Sequence, residues 1–189
     1  MEVIKTALEG VVIIEPRVFK DDRGYFFESF SQREFEEKVR PINFVQDNES
    51  FSIYGVIRAF HCQKPPYAQS KLVQCMKGVI RDVVVDLRYG SPTYLQSISV
   101  DLSDNNKKML FVPRGFLHGF SVLSKEAKVL FKCDNYYSPQ SELAIAWNDS
   151  TLNIDWGVPL SDVIIANKDK NNPELLSIDK IFFYNKNLY

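Results

Sequence analysis

An alternation of apolar and polar residues with a period of two constrains the fold most. In the segment YLQSISVDL, one face of an extended chain would carry Tyr94, Gln96, Ile98, Val100 and Leu102. Similar β-branched and aromatic segments recur at residues 11–15, 43–53, 56–61, 70–76, 79–88, 109–112, 119–123 and 127–133. Turn-forming sequences such as DDRG, RYGSP, SDNN and PRGF separate them. Many short strands without intervening helices predict an all-β protein, either an antiparallel sandwich or a barrel.

The first helix signal follows the N-terminal strands. In FSQREF, Ser31 and Glu34 have the spacing of a capping box, in which each residue satisfies a free backbone N–H of the first helical turn. Phe30 and Phe35 are placed to form a hydrophobic staple across the same turn. The sequence therefore predicts a short helix over residues 32–39.

The C-terminal region carries a second helix signal and an apolar tail. A helix is expected to begin at Asn172, because Pro173 suits a first helical turn. The last ten residues, KIFFYNKNLY, include four aromatic side chains, which is more apolar surface than a free tail exposes. We therefore expect the tail to pack on the body of the protein or on a partner subunit.

Length and composition limit the class of protein. The 189 residues suit one domain, over 1–189, whose core needs no metal or disulfide for stability, and no repeat or linker divides the chain. A formal net charge of −1 gives no general attraction for nucleic acid or an anionic membrane, so neither is expected as a partner. Three scattered cysteines and the lack of a long apolar segment predict a cytoplasmic protein.

His61 is the first candidate for chemistry. It lies in VIRAFHCQKPPYAQSKL, between Arg58 and Lys71. A regular strand would point Arg58 and His61 to opposite faces, and only a bulge, or a strand end near Ala59, would bring them together. Each of the three residues taken singly also fits an ordinary core or surface position. Together they only suggest a site for an anion.

His118 is the second candidate. It lies in FVPRGFLHGF, where Pro113 and Gly115 indicate a tight turn before the next strand. The histidine could reach into the mouth of a barrel or could simply belong to the turn. With only two histidines, widely separated, the usual metal site of a jelly-roll barrel cannot be assembled, so no metal is expected. The phosphate-loop, dinucleotide and serine-hydrolase motifs are also absent.

Eight phrases stand in a characteristic order: DDRGYFFESF (21–30), FVQDNESFS (44–52), GVIRAFHCQ (55–63), AQSKLVQCMKGVIRDVVVDLRYGSPTY (68–94), VPRGFLHGFSVLS (112–124), FKCDNYYSP (131–139), AWNDSTLNIDW (146–156) and NKD (167–169). In this order they resemble the dTDP-4-dehydrorhamnose 3,5-epimerase family over nearly the whole chain. The resemblance implies a cupin jelly-roll barrel that works without metal or other cofactor, as a homodimer exchanging N-terminal strands. It also implies a nucleoside-diphosphate 4-keto-6-deoxyhexose substrate, used in deoxysugar and surface polysaccharide biosynthesis.

The same resemblance implies residue roles. The family's general base falls on His61, the aspartate that orients and charges it falls on Asp169, and the enolate-stabilising lysine falls on Lys71. The positions that contact sugar, phosphate or nucleotide fall on Arg23, Glu28, Gln46, Asn48, Arg58, Asp82, His118, Tyr137, Glu142 and Lys168.

The chemistry explains why these residue types are needed. A ketone at carbon 4 of the sugar acidifies the hydrogens at carbons 3 and 5, so a base can remove one and leave a planar enolate. Return of a proton to the other face inverts the centre. Histidine suits the base because its pKa lies near working pH, and a partner carboxylate is expected to raise that pKa and fix the tautomer. A lysine stabilises the enolate oxygen.

One departure from the family concerns the general acid. The family has a tyrosine in the phrase that reads FKCDNYYSP here, and Phe131 takes its place. Because a phenyl ring has no proton to give, a neighbouring group such as Tyr136 or Tyr137, or water, would have to replace it. Alternatively, the chain inverts carbon 3 only. A third alternative is an inactive relative.

Other functions also remain open. Ala59 and Phe60 stand where the family usually has Gly-Leu, which could change the pocket or the sugar it accepts. A related sugar-nucleotide 3,4-ketoisomerase and a binding module without turnover are the alternatives from other classes. The combination of His61, Lys71 and Asp169 favours catalysis, since binding alone needs no base.

Overall fold

The computed structural model describes residues 1–189, which form two facing β-sheets with one short α-helix. The helix α1 spans Gln32–Lys38. The strands are β1 (Glu2–Lys5), β2 (Val12–Glu15), β3 (Phe19–Asp21), β4 (Gly24–Phe26), β5 (Gln46–Ile53), β6 (Val56–Gln63), β7 (Lys71–Lys77), β8 (Val79–Asp86), β9 (Arg88–Tyr89), β10 (Ser97–Ser103), β11 (Met109–Val112), β12 (Phe116–Val122), β13 (Glu126–Cys133), β14 (Glu142–Ala144), β15 (Ile164–Ile165) and β16 (Phe182–Phe183).

The strand order is that of two layers. The first sheet runs β1-β2-β11-β7-β13-β5, and the second runs β10-β8-β12-β6-β14, with β15 added beside β6. The prediction of an all-β fold is confirmed, and each strand predicted from the pattern corresponds to a strand of the structure. Two short pairs, β15 with β6 and β16 with β9, are parallel, whereas the strands within the two main layers otherwise pair antiparallel.

Two apolar clusters account for the near-continuous hydrophobicity of the second sheet. Val84 and Phe120 point between the sheets and pack against residues of the first sheet such as Val73. Val83 and Leu117 belong to a separate cluster on the other side, beneath the C-terminal segments. Each fully buried side chain of this size contributes about 1.5–3 kcal/mol. Covering both faces therefore makes the central strands of the second sheet rigid supports for side chains between the layers.

The helix α1 begins as its capping sequence predicts. The Ser31 hydroxyl accepts the Glu34 backbone N–H at 3.4 Å, and the rings of Phe30 and Phe35 lie 6.0 Å apart. The Glu34 carboxylate bonds the amino terminus of Met1 at 2.9 Å and does not return to the cap. The helix ends one residue before the predicted end. No helix of the structure has the length and apolar character needed to cross a membrane.

The prediction of a helix that begins at Asn172 is wrong. The structure has only a short 3-10 turn at Leu175–Ser177. The carbonyl of Pro173 accepts the Ala146 N–H at 2.9 Å, and the Asp149 carboxylate accepts the Leu175 N–H at 2.7 Å. In a helix beginning at Asn172, the Pro173 carbonyl would accept an N–H from the next turn, so its bond to the earlier loop removes that helical pairing.

The C-terminal tail packs on the body, as its aromatic content predicts. β16 extends the small β9 pairing, and Phe182 is buried there. At the chain end, the Tyr189 hydroxyl lies 2.9 Å from the Ser70 hydroxyl, and the Arg114 guanidinium stacks on the Tyr189 ring at 4.9 Å. The tail is therefore part of the folded unit.

Candidate active site

A cavity of about 520 Å³ opens between the two sheets. Strands of both sheets and the segment after β15 line it, and it falls in the size range of small-molecule sites. It brings together ten of the thirteen site residues expected from the sequence: Gln46, Asn48, Arg58, His61, Lys71, His118, Tyr137, Glu142, Lys168 and Asp169. No group of three or more His, Cys, Asp or Glu side chains has a metal-binding arrangement.

His61 and Asp169 form the most definite pair in the cavity. His61 lies on β6, and Asp169 ends a 3-10 turn, Asn167–Asp169, that follows β15. Because β15 pairs with the start of β6, it carries this turn to the same strand. The Nε2 of His61 lies 2.9 Å from Asp169 Oδ1. An ionised carboxylate accepts only a donated N–H, so this contact places the ring proton on Nε2 and leaves the Nδ1 lone pair for a substrate proton.

The pKa of His61 shifts in the direction opposite to the one expected from the sequence. Burial lowers the pKa of His61 below its ordinary value of 6.5. The hydrogen bond and negative charge of Asp169 raise it, as predicted, while the nearby charges of Lys71 and Lys168 lower it further. Burial is the largest of these effects. The imidazole is therefore neutral, and able to accept a proton, down to a lower pH than an exposed histidine.

Arg58 and His61 share the cavity in spite of their opposite strand parity. β6 pairs with β12 with a register shift between His118 and Phe120, and the Ala59–Phe60 peptide in this stretch is cis. The register shift is the kind of irregularity that was needed for Arg58 and His61 to share a site. The Arg58 side chain donates to the Ser52 hydroxyl at 2.9 Å, which anchors the guanidinium at the cavity wall.

Gly119 permits this irregular pairing. A Cβ added to Gly119 would lie 2.4 Å from the Ala59 Cβ and 2.9 Å from the Arg58 carbonyl oxygen. Such contacts are shorter than real side chains allow, so the close approach of β12 to β6 requires glycine here. Gly119 was not among the expected site residues, although a glycine inside a strand pattern indicates a close contact between backbones.

Lys71 and Phe131 come from the sheet that faces His61. They lie on the neighbouring strands β7 and β13. The Lys71 Nζ lies 5.9 Å from the centroid of the Phe131 ring, and it donates to the backbone carbonyl of His61 at 3.4 Å. The ammonium thus reaches across the cavity toward the base. Phe131 lines the cavity, as expected for the position of the family's acid.

Three polar residues form a cluster at one side of the cavity. The Tyr137 hydroxyl donates to Glu142 Oε2 at 2.8 Å, and the Lys168 Nζ donates to Glu142 Oε1 at 3.2 Å. Burial acts to raise the pKa of Glu142, but these two hydrogen bonds outweigh it and hold that pKa below its ordinary value. Tyr136, considered as a replacement acid, is 62% exposed and does not line the cavity.

Three expected site residues lie outside the cavity lining. Asp82 is fully buried behind His118, whose Nε2 lies 2.7 Å from Asp82 Oδ1. This close contact is not a hydrogen bond, and both Asp82 carboxylate oxygens lack hydrogen-bond partners. Arg23 lies at the exposed turn between β3 and β4, where it pairs with Asp21 at 2.6 Å. Glu28 lines a separate pocket beside α1. Within one chain, therefore, Asp82, Arg23 and Glu28 are not positioned to contact a ligand in the cavity.

Several cavity residues were missed by the sequence analysis. Cys133 and Ser50 line the cavity two residues after Phe131 and Asn48, so strand parity alone could have found them. Gln63 fixes the loop that carries Tyr137, because its side chain accepts the Ser138 N–H at 2.7 Å and donates to the Tyr67 carbonyl at 2.6 Å. The sequence offers no local signal for these loop contacts.

Comparisons with known proteins identify the family of this chain. The family model described as dTDP-4-dehydrorhamnose 3,5-epimerase matches residues 5–177. A protein of that name from Shigella flexneri is 48% identical over 180 residues, which cover 95% of this chain and 98% of the relative. The chain belongs to the dTDP-4-dehydrorhamnose 3,5-epimerase family. The resemblance inferred from the sequence is confirmed, and the chain is an enzyme of the carbohydrate epimerase class.

Solved structures support the fold of this epimerase. A dTDP-6-deoxy-D-glucose-3,5-epimerase from Legionella pneumophila, in complex with dTDP-4-keto-L-rhamnose, matches with a TM-score of 0.93 and 40% identity, over 98% of this chain and 99% of that chain. A 3'-monoepimerase from Streptomyces bikiniensis, in complex with dTDP-quinovose, matches with a TM-score of 0.85 and 27% identity, over 92% and 88%. The predicted jelly-roll, cupin-type fold is therefore confirmed.

Proposed function

We propose that this epimerase acts on a dTDP-4-keto-6-deoxyhexose, with dTDP-4-keto-6-deoxyglucose as the expected substrate, in the biosynthesis of deoxysugars for surface polysaccharides. The observation that carries the proposal is the His61–Asp169 pair facing Lys71 across one cavity. The Legionella pneumophila relative, which is named for this chemistry and holds a dTDP-4-keto sugar, supports the choice of substrate. The three free, buried cysteines suit a reducing, cytoplasmic location.

The proposed reaction uses the two walls of the cavity in sequence. The neutral imidazole of His61 accepts a proton from a carbon next to the sugar ketone, and Asp169 stabilises the imidazolium that results. The electron pair moves into an enolate, whose oxygen is stabilised by the Lys71 ammonium. Loss of one such donor commonly costs about 100- to 1,000-fold in rate. A proton then returns to the opposite face of the planar carbon and inverts it.

The remaining polar residues suit the rest of the substrate. Arg58 supplies a fixed cation for the diphosphate, because its side chain is anchored to Ser52 at 2.9 Å. Gln46 and Asn48 offer amides at the edge of β5 for the nucleotide end. The cluster of Tyr137, Glu142 and Lys168 lies beside the base and suits the sugar and phosphate groups.

The test follows solvent deuterium into the sugar. Purified enzyme is incubated with dTDP-4-keto-6-deoxyglucose in D2O, and proton NMR reports exchange and configuration at carbons 3 and 5. Exchange with inversion at either carbon supports the proposal. No exchange at either carbon would leave only a binding function, and movement of the keto group to carbon 3 would indicate a ketoisomerase.

A second candidate, inversion of carbon 3 alone, is favoured by Phe131. The position lines the cavity but carries no acidic proton. Phe131→Tyr separates the alternatives. If the missing phenol limits the enzyme to one centre, the variant gains or accelerates inversion at the second. An unchanged product pattern would show that Phe131 does not set the number of centres.

We further propose that the enzyme works as a homodimer in which the β3–β4 hairpin of one copy completes the cavity of the other. Arg23 and Glu28 lie away from their own cavity, while the edge strand β5 beside it exposes the apolar side chains Phe51 and Ile53. Light scattering tests the dimer. Mixing Arg23→Ala with His61→Asn tests the shared site: each alone is inactive, and mixed dimers regain one intact cavity. No regained activity would contradict the exchange.

A further inference from the structure

The wall of the cavity that faces His61 has few groups able to deliver a proton. Phe131 stands at the position of the family's acid and offers none. Tyr137 is engaged, since its hydroxyl donates to Glu142 at 2.8 Å. The Glu142 carboxylate thus holds the phenolic proton, and this hydrogen bond raises the pKa of Tyr137 above its ordinary value.

Three other protic side chains line the cavity, and none of them is a strong proton donor. The Ser50 hydroxyl is buried and has no partner. Burial raises the pKa of the Cys133 thiol to about 11, and its sulfur is covered by the Asn48 amide at 3.7 Å. Burial also raises the pKa of the Cys62 thiol to about 12, and Cys62 lies on β6 with the base. Neither thiol is a better acid than an ordinary ammonium.

Lys71 remains. It extends from β7, the strand paired with β13, and its Nζ reaches to 5.9 Å from the Phe131 ring. An ammonium has three donors, and the His61 carbonyl occupies one of them at 3.4 Å. Two N–H groups are thus free to point into the cavity from the sheet that faces the base.

We propose that Lys71 is the general acid of this enzyme, delivering the proton to the sugar face opposite His61, in the step that the family's tyrosine performs. The inference rests on the proposed function. His61 Nδ1 takes the proton as the C–H bond breaks and its electron pair enters the enolate. An N–H bond of Lys71 then breaks as the new C–H bond forms on the other face. Lys71 is left neutral and His61 protonated, and proton exchange with water restores both.

The test separates charge from proton delivery. Lys71→Arg keeps a cation for the enolate, but a guanidinium gives up no proton near neutral pH. In D2O we expect this variant to exchange the sugar hydrogen within about tenfold of the wild-type rate, because the His61 imidazolium exchanges its proton with solvent and then returns deuterium to the original face. Inversion should fall by about 100-fold, the contribution of a general acid. Lys77→Arg, on the same strand but paired with Glu126 outside the cavity, is the matched control.

A restored phenol supplies the second arm. Adding Phe131→Tyr to Lys71→Arg should recover inversion, because the phenol then delivers the proton. If Lys71→Arg inverts the sugar as fast as it exchanges the hydrogen, the proposal is wrong. It is also wrong if Cys133→Ala loses inversion while it still exchanges the hydrogen, because Cys133 would then be the acid. Thermal unfolding midpoints confirm that each variant folds. Failure of the wild type to exchange any hydrogen would instead contradict the proposed function.

Discussion

The two histidines of the chain stand opposite each other on neighbouring strands, yet their settings differ. His61 on β6 pairs in register with His118 on β12, and each imidazole has an aspartate beside it. The side chains of His61 and Asp169 are 22% and 6% exposed, whereas those of His118 and Asp82 are 8% and 0% exposed. Only the first pair combines an accessible ring with a buried carboxylate.

The aspartates also approach from different directions. Asp169 arrives on a distant segment, accepts the His61 Nε2–H at 2.9 Å and is itself contacted by the Asn172 amide at 3.4 Å. Asp82 lies on β8, next to β12 in the same sheet, and its carboxylate oxygens have no hydrogen bond. An aspartate near a histidine thus indicates a base only where the ring remains accessible and the carboxylate is oriented along the N–H.

Apart from loss of the base itself, the largest expected effect on the rate lies at the aspartate of the first pair. Asp169→Asn should lower kcat/KM by about 100-fold, because the amide no longer stabilises the imidazolium. Asp169 raises the pKa of His61 against the effect of burial, so its loss moves that pKa further below 6.5. The acid limb of the pH profile of kcat/KM should therefore shift to lower pH. The exposed Asp155→Asn serves as the control, and a shift to higher pH would contradict the account.

A smaller effect is expected at the glycine that lets the two strands approach. Gly119→Ala places a Cβ 2.4 Å from Ala59, so the strands must separate, at a cost of about 1–3 kcal/mol in the free energy of unfolding. Because Arg58 and His61 flank that contact, kcat/KM should fall as well. Adding Ala59→Gly should recover part of both losses. Chemical denaturation measures the free energy of unfolding. If Gly119→Ala is as stable as the wild type, the two strands tolerate the added side chain and the account is wrong here.

The smallest effect on chemistry is expected at the second pair. Asp82→Ala removes a fully buried side chain beside His118 and leaves a small cavity, which should cost about 1–3 kcal/mol of unfolding free energy. The acid limb of the pH profile should stay where it is in the wild type, since the limb follows His61. A shift like that expected for Asp169→Asn would mean that both pairs take part in proton removal.

Local sequence patterns predicted the strands and the helix α1, because alternation and capping depend on neighbouring residues. They failed at Asn172, where Asp149 and Ala146 bind the backbone that would have formed a helix. They also left Arg58 and His61 on opposite faces, since the register shift with β12 is a property of the paired strand.

The candidate site depended more on resemblance than on pattern. Asp169 lies far from His61 in sequence, and no local rule joins them. The resemblance placed both in one site and located the substitution at Phe131. It also assigned Asp82 to the pocket, but the structure buries that carboxylate behind His118. Arg23 and Glu28 lie outside the cavity of their own chain, which a single sequence could not indicate.

The most direct test of the account compares the two histidines in one experiment. His61→Asn and His118→Asn are incubated with the 4-keto sugar nucleotide in D2O, and NMR gives the initial rate of deuterium incorporation. In His61→Asn, the initial rate of deuterium incorporation should fall by about 100- to 10,000-fold, which is the contribution of a general base. The rate for His118→Asn should stay within about tenfold of the wild-type rate, because at most one hydrogen bond to the sugar is lost. Equal losses, or a larger loss at His118, would contradict the assignment of His61 as the base.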